Sequence, residues 1–235
     1  MNMLAVSDVE LGFIYNAHFA QRFKNIDLMI SCGDLPYYYL EFMVSMIDKP
    51  LYYVRGNHVA QVERTIAGER RSPWGAIDLH RKVLRTAQGL LIGGIQGSLW
   101  YNDGPCQYTQ AEMWSMILAM VPGLMVNRIR YGRYLDIFVS HAPPWKIHDM
   151  DDLPHRGIKA FRWLLQVFRP RLHLHGHIHV YRPDVVTTTR FRDTLVMNCY
   201  GYREFSLTDQ FELESPPDSY QRFFVGKESD VKRIG

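Results

Sequence analysis

The sequence predicts an α/β fold in which two packed sheets are flanked by helices, and three observations carry that expectation. Short apolar runs alternate with segments of helical spacing along most of the chain. A strand-like pair interrupts the alternation near the middle, and β-branched runs crowd the end. The 235 residues are 47% hydrophobic and 22% charged, which is ordinary globular usage. At about 150 residues per domain the length fits one or two domains, and a single α/β domain can absorb it.

Residues 3–7 read as a strand, 15–24 as a helix and 27–31 as a second strand. Residues 38–47 give the next helix and 50–54 the third strand, with Pro50 at its start. Residues 83–86 and 90–95 pair across Ala87-Gln88-Gly89. Thr109 is a helix N-cap with Glu112 at the capping-box position, opening an apolar helix that stops near Pro122-Gly123. Residues 135–140 form another apolar strand. Ile158, Phe161, Leu164, Leu165 and Phe168 then lie on one helical stripe in 157–168, stopped by Pro170. Residues 172–175 continue the sheet, while 185–192 and 194–200 alternate as an antiparallel hairpin would. The domain is expected over residues 1–213, with 214–235 a peripheral tail marked by Pro216, Pro217 and scattered charges.

Composition excludes several classes. Cys32, Cys106 and Cys199 are odd in number and widely spaced, so neither a disulfide framework nor a cysteine zinc site is expected; a cytoplasmic location is. The N-terminus has no basic stretch followed by an apolar run, which argues against a secretory signal. The least polar stretch, 113–126, is interrupted by Ser115, Pro122 and Gly123 and falls short of the roughly 20 residues that span a membrane. A net charge of +3, from 27 basic and 24 acidic side chains, is below the basic footprint of a nucleic-acid-binding protein.

The polar residues sit where five strands end. Leu4-Ala5-Val6-Ser7 runs into Asp8-Val9-Glu10, and Leu28-Met29-Ile30-Ser31 into Gly33-Asp34. Leu51-Tyr52-Tyr53-Val54 leads to Gly56-Asn57-His58, Ile137-Phe138-Val139-Ser140 to His141, and Leu172-His173-Leu174-His175 to Gly176-His177-Ile178-His179. Each loop alone has an ordinary reading. Gly-Asp and Gly-Asn-His make good turns, Asp8 to Glu10 can precede a helix, and a single histidine before Ala-Pro-Pro is commonly a hydrogen-bonded loop residue. Ligands of open α/β sheets bind outside the carboxyl ends of the strands, so five such ends deliver carboxylate, carboxamide and imidazole to one crevice.

In that order the motifs resemble those of the calcineurin-like metallophosphoesterases, over residues 8–179. The resemblance implies a four-layer α/β/β/α sandwich of two mixed sheets flanked by helices, holding two divalent metal ions. It assigns Asp8 and His179 to one metal, Asp34 to the bridge, and Asn57, His141 and His177 to the second. It leaves His58 unliganded and facing substrate, to stabilise phosphoryl charge or protonate the leaving oxygen. The implied activity is hydrolysis of a phosphomonoester or phosphodiester, by in-line attack of a hydroxide held between metals about 3.5–4 Å apart. No serine or cysteine in the motifs is placed to serve as a nucleophile, so no phosphoenzyme is expected.

Glu10 departs from the family pattern, which has histidine there. As a ligand it adds an oxygen and a negative charge and favours hard ions; pointing away, it leaves one metal with fewer ligands. The expected ligand set includes it, because Asp8 and Glu10 share a side of an extended segment. Manganese is the first expectation, with iron, Zn²⁺, Mg²⁺ or Ni²⁺ as alternatives. Val59 departs as well, where many relatives carry an acidic residue. Arg55, His155 and Arg156 are the candidate contacts to a small phosphorylated substrate. Tyr37 to Tyr39, Trp100-Tyr101 and Trp145 either border the crevice or pack on the core. His173 and His175 are expected in a buried, hydrogen-bonded role.

Two rival readings stand beside this one. A nuclease draws on the local cluster Arg128, Arg130 and Arg133. A non-catalytic scaffold draws on the departures at Glu10 and Val59, with the apolar helix around Trp114, Met116, Ile117 and Met120 serving either as core or as the surface of a homo-oligomer.

Overall fold

A computed structural model describes residues 1–58, 62–65 and 68–208 of the chain. The first part contains β1 (Asn2–Ser7), α1 (Phe19–Arg22), β2 (Leu28–Ser31), α2 (Tyr37–Met46) and β3 (Leu51–Tyr53). Short strands β4 (Glu63–Thr65), β5 (Gly68–Arg70) and β6 (Ala76–Asp78) follow, then β7 (Lys82–Arg85), β8 (Leu91–Ile95), β9 (Ser98–Leu99) and β10 (Gln107–Tyr108). The second part contains α3 (Gln110–Tyr131), β11 (Ile137–Ser140), α4 (Lys159–Phe168) and β12 (Leu172–His175), closing with β13 (Thr188–Phe191), β14 (Thr194–Asn198) and β15 (Gly201–Ser206).

Two large mixed sheets result. One has the order β15-β1-β2-β3-β6, parallel except for β15; the other has β13-β14-β12-β11-β8-β7, parallel except for its two edges. Strand alternation builds the layers. Met3, Ala5, Leu28 and Ile30 point into the core between the sheets, where they meet Ile92, Ile137, Val139, Leu172 and Leu174. Leu4, Val6, Met29 and Leu51 point the other way, onto Phe19, Leu40 and Met43 of α1 and α2. On the far side Leu91, Phe138 and Val196 pack against Met113, Ile117, Met120, Phe161, Leu164 and Leu165 of α3 and α4. This is the expected α/β/β/α sandwich.

Several elements differ from expectation. The helix predicted over 15–24 shrinks to α1, because Asn16 Oδ1 accepts the His18 N–H and turns close at Leu11–Tyr15 and Phe23–Ile26. The helix expected to stop at Pro122-Gly123 runs to Tyr131. Its buried stripe continues past the proline through Leu124 and Asn127, and packing of that stripe outweighs one missing backbone hydrogen bond. The Thr109–Glu112 capping box forms, and Gly132 ends the helix in the left-handed conformation with φ 73°. Strand β15, which pairs antiparallel with β1, has no counterpart among the elements expected from the sequence. The tail at 214–235 and the departure at Val59 lie outside the described residues. Among the described residues no helix is long and apolar enough to cross a membrane.

Candidate metal centre

Asp8, Asp34, Asn57, His141, His177 and His179 all follow the carboxyl ends of parallel strands, three from each sheet. Close approach of the loops depends on glycine and on unusual backbone. Asp8, Asp34 and His177 hold φ values of 66°, 54° and 67°, a left-handed conformation that costs free energy in non-glycine residues and clusters at functional sites. A Cβ on Gly56 would stand 1.9 Å from Asp34 Oδ1, and one on Gly176 would stand 2.5 Å from Asp8 Oδ2. These two glycines therefore let the opposing carboxylates into the crevice.

The hydrogen bonds then decide which atoms face inward. His141 Nδ1 lies 2.8 Å from the Cys32 carbonyl, which can only accept, so Nδ1 carries a proton. His177 Nε2 donates likewise to the Pro154 carbonyl at 2.8 Å, leaving Nδ1 with its lone pair. Asn57 donates Nδ2–H to the Tyr101 hydroxyl at 3.0 Å, which turns Oδ1 inward. Asp34 accepts the His58 backbone N–H with Oδ1 at 2.9 Å and presents Oδ2. As a result His141 Nε2 has Asn57 Oδ1 at 3.0 Å, Asp34 Oδ2 at 3.1 Å and His177 Nδ1 at 3.2 Å.

One proton on His141 can satisfy one of those contacts; a cation shared by all four atoms satisfies them together. Ligand atoms of Asp34, His141 and His177 lie within 4.8 Å of one another, the distance range a metal ion bridges. The donor set of carboxylate, carboxamide and neutral imidazole fits a divalent cation of the first transition row. Asp8 forms the adjoining group. Its two oxygens accept the His177 backbone N–H at 3.0 and 3.1 Å, and Oδ1 lies 4.0 Å from His179 Nε2.

The electrostatics agree. Burial opposes charge on His141, but the Asp34 carboxylate against it overcomes that and pushes its pKa up to about 9. Burial likewise opposes ionisation of Asp34, yet His141 and the His58 N–H hold its carboxyl well below the usual range. Asp8 is raised, chiefly by burial. His177 is pulled down to about 3 by burial and by His141. Such a pocket holds positive charge where its lone pairs converge.

The remaining expected residues are placed as follows. His58 is exposed beside Asp34, with its Nε2 3.5 Å from the Tyr101 hydroxyl. Glu10 is exposed and not brought to the cluster; its carboxylate accepts the Tyr38 hydroxyl. Arg55 is committed to the Tyr37 hydroxyl and the Arg71 carbonyl. His155 pairs with Asp152 at 2.6 Å and its ring lies 5.3 Å from that of His177. Arg156 is exposed and bonded to the Asp151 carbonyl. Tyr37 and Tyr39 are core residues, whereas Tyr38 and Trp100 are exposed. His173 and His175 are buried, and His173 Nε2 donates to Ser140 Oγ at 2.7 Å. Three supports lie beyond the sequence motifs: the Pro154 carbonyl, the Tyr101 hydroxyl, and the Tyr181 hydroxyl on His179 Nδ1 at 2.7 Å. A backbone carbonyl leaves no signal in sequence. Tyr181, two residues after His179, leaves a faint one.

The family model of the calcineurin-like phosphoesterases matches residues 1–181. Among solved structures, TT1561 of Thermus thermophilus has a TM-score of 0.59 at 14% identity, with 92% of this chain and 98% of that one covered. The calcineurin-like phosphoesterase YfkN from Bacillus subtilis has a TM-score of 0.44 at 11% identity, covering 92% of this chain and 88% of its own. No curated protein matches the chain by sequence. On the family match over most of its length, the chain belongs to the calcineurin-like phosphoesterases.

Proposed function

We propose that the chain is a dinuclear metal-dependent hydrolase of a small phosphomonoester or phosphodiester. The observation that carries this reading is the set of lone pairs around His141 Nε2, all within 3.2 Å, which calls for a cation. Asn57, His141 and His177 would hold one metal, Asp8 and His179 the other, and Asp34 would contribute its carboxylate to both. When bound, the two cations supply Lewis acidity and a water of lowered pKa, with manganese the first candidate and iron, Zn²⁺, Mg²⁺ or Ni²⁺ the alternatives. His58, exposed beside Asp34, contacts the phosphoryl oxygens or the leaving oxygen. His155 and Arg156 approach from the loop that also supplies the Pro154 carbonyl. Arg55 has donors already engaged, so its part is to hold the Tyr37 hydroxyl near the Asp34 loop.

A small substrate is favoured over nucleic acid by where the basic cluster lies. Arg133 is bonded to Asp136 and to the Gly89 carbonyl, at the amino end of β11, opposite the crevice. All three cysteines are buried and free, which suits the reducing cytoplasm. The test is metal analysis of the purified protein followed by turnover of mono- and bis-nitrophenyl phosphate with each candidate metal. Two bound metals with hydrolysis are expected, and monoester against diester preference then narrows the substrate. Loaded sites without turnover of either ester would overturn the proposal in favour of a scaffold.

A further inference from the structure

We infer that Tyr101 is a positioning residue for the candidate metal centre, its hydroxyl setting the orientation of the Asn57 amide. The inference rests on the hydrolase reading above. Tyr101 follows β9, and its loop is fastened at several points. Its backbone N–H and that of Asn102 both donate to Gln107 Oε1, at 3.0 and 3.1 Å, and β9 pairs with β10 beside it. The phenol is thus held by its own backbone, not by the groups it touches.

An asparagine amide has no charge to orient it, and its two ends differ only in donors and acceptors. Asn57 Nδ2 donates to the Tyr101 oxygen at 3.0 Å, and this contact turns Oδ1 toward His141 Nε2. Flipped, Asn57 would offer N–H groups to the cation and bind nothing. The same hydroxyl lies 3.5 Å from His58 Nε2, at the outer limit of a hydrogen bond. Outer-shell partners of this kind typically change metal affinity by about 10- to 100-fold.

Tyr101→Phe removes the hydroxyl and keeps the ring. It is compared with the parent protein and with Asp103→Asn, a change at an exposed position on the same loop. Two readouts need no turnover: NMR of the Asn57 side-chain amide in metal-free protein, and direct titration with Mn²⁺. Tyr101→Phe is expected to shift the Asn57 side-chain amide resonances and to weaken the tighter Mn²⁺ site about tenfold. It is further expected to lower kcat about tenfold with KM within about twofold, while Asp103→Asn leaves all of these unchanged. Unaltered Asn57 amide resonances, or unaltered Mn²⁺ affinity, in a folded Tyr101→Phe protein would overturn the inference. If the parent binds Mn²⁺ and hydrolyses nothing, the hydrolase reading falls, and the amide resonances and the titration still decide the role of Tyr101.

Discussion

Asp34 accepts the backbone N–H of His58 with one carboxylate oxygen, at 2.9 Å, while the other oxygen faces His141. One side chain therefore both shapes the Gly56-Asn57-His58 turn and contributes the charge of the site. Asp34→Asn retains an oxygen to accept the His58 N–H and loses the charge. It is expected to fold, to lose metal and to lose hydrolysis, whereas His58→Ala keeps metal and loses rate by a factor on the order of 10²–10⁴. Metal content and turnover measured on the two variants check this, and full turnover in Asp34→Asn would contradict the ligand assignment.

Gly56 predicts a steric route to the same loss. A methyl there would meet Asp34 Oδ1 at 1.9 Å and the Asp34 backbone nitrogen at 2.7 Å, so the carboxylate must move. Gly56→Ala is expected to weaken metal binding by about tenfold or more, in keeping with the usual effect of disturbing a metal's surroundings. A Cβ on Gly12 meets nothing within 4 Å, and Gly12→Ala serves as the control with unchanged affinity. Calorimetric titration of both proteins with Mn²⁺ separates them.

Glu10 and Tyr38 are bonded to each other. Burial, together with that carboxylate, raises the Tyr38 hydroxyl above its usual range, so it remains a donor at neutral pH. Tyr38→Phe releases the carboxylate. If Glu10 joins the ligand set, the weaker Mn²⁺ site is expected to tighten in Tyr38→Phe and to weaken in Glu10→Gln. Equal Mn²⁺ binding in both variants and the parent would remove Glu10 from that set.

His173 links the fold to pH. It is fully buried, donates Nε2–H to Ser140, and has no partner at Nδ1 among the described residues. Burial, aided by nearby His148, pulls its pKa down to about 3. An unfolded chain binds this proton near its ordinary pKa of about 6.5 and the folded one does not, so stability is complete above about pH 6.5 and declines as the pH falls toward about 3. The contribution approaches about 1.4 kcal/mol per pH unit within that window. His173→Met is expected to flatten the decline in denaturation midpoint between about pH 7 and pH 5, and an unchanged slope would assign it to other groups.

Much of the architecture is legible because it is written locally. The strands at 3–7, 28–31 and 137–140 are mainly apolar runs, the strand at 172–175 alternates leucine with histidine, and each ends near a glycine, a carboxylate or a histidine. Thr109 and Glu112 mark a helix start through contacts three residues apart. The stop expected at Pro122 does not hold, because the gain from burying Leu124 belongs to a distant surface, Val83 and its neighbours, that no local rule includes. Strand β15 escapes sequence reading for the same reason, since its partner lies some two hundred residues away in β1.

At the candidate metal centre, the kinds of side chain and the strand ends that carry them follow from the order of residues alone. Packing then chose which atom of each faces inward, through the Cys32 and Pro154 carbonyls and the Tyr101 hydroxyl, and it turned Glu10 toward Tyr38. The reason is physical: residue type fixes what a group can donate or accept, but orientation is set by hydrogen bonds to residues far along the chain, which exist only once the two sheets have packed.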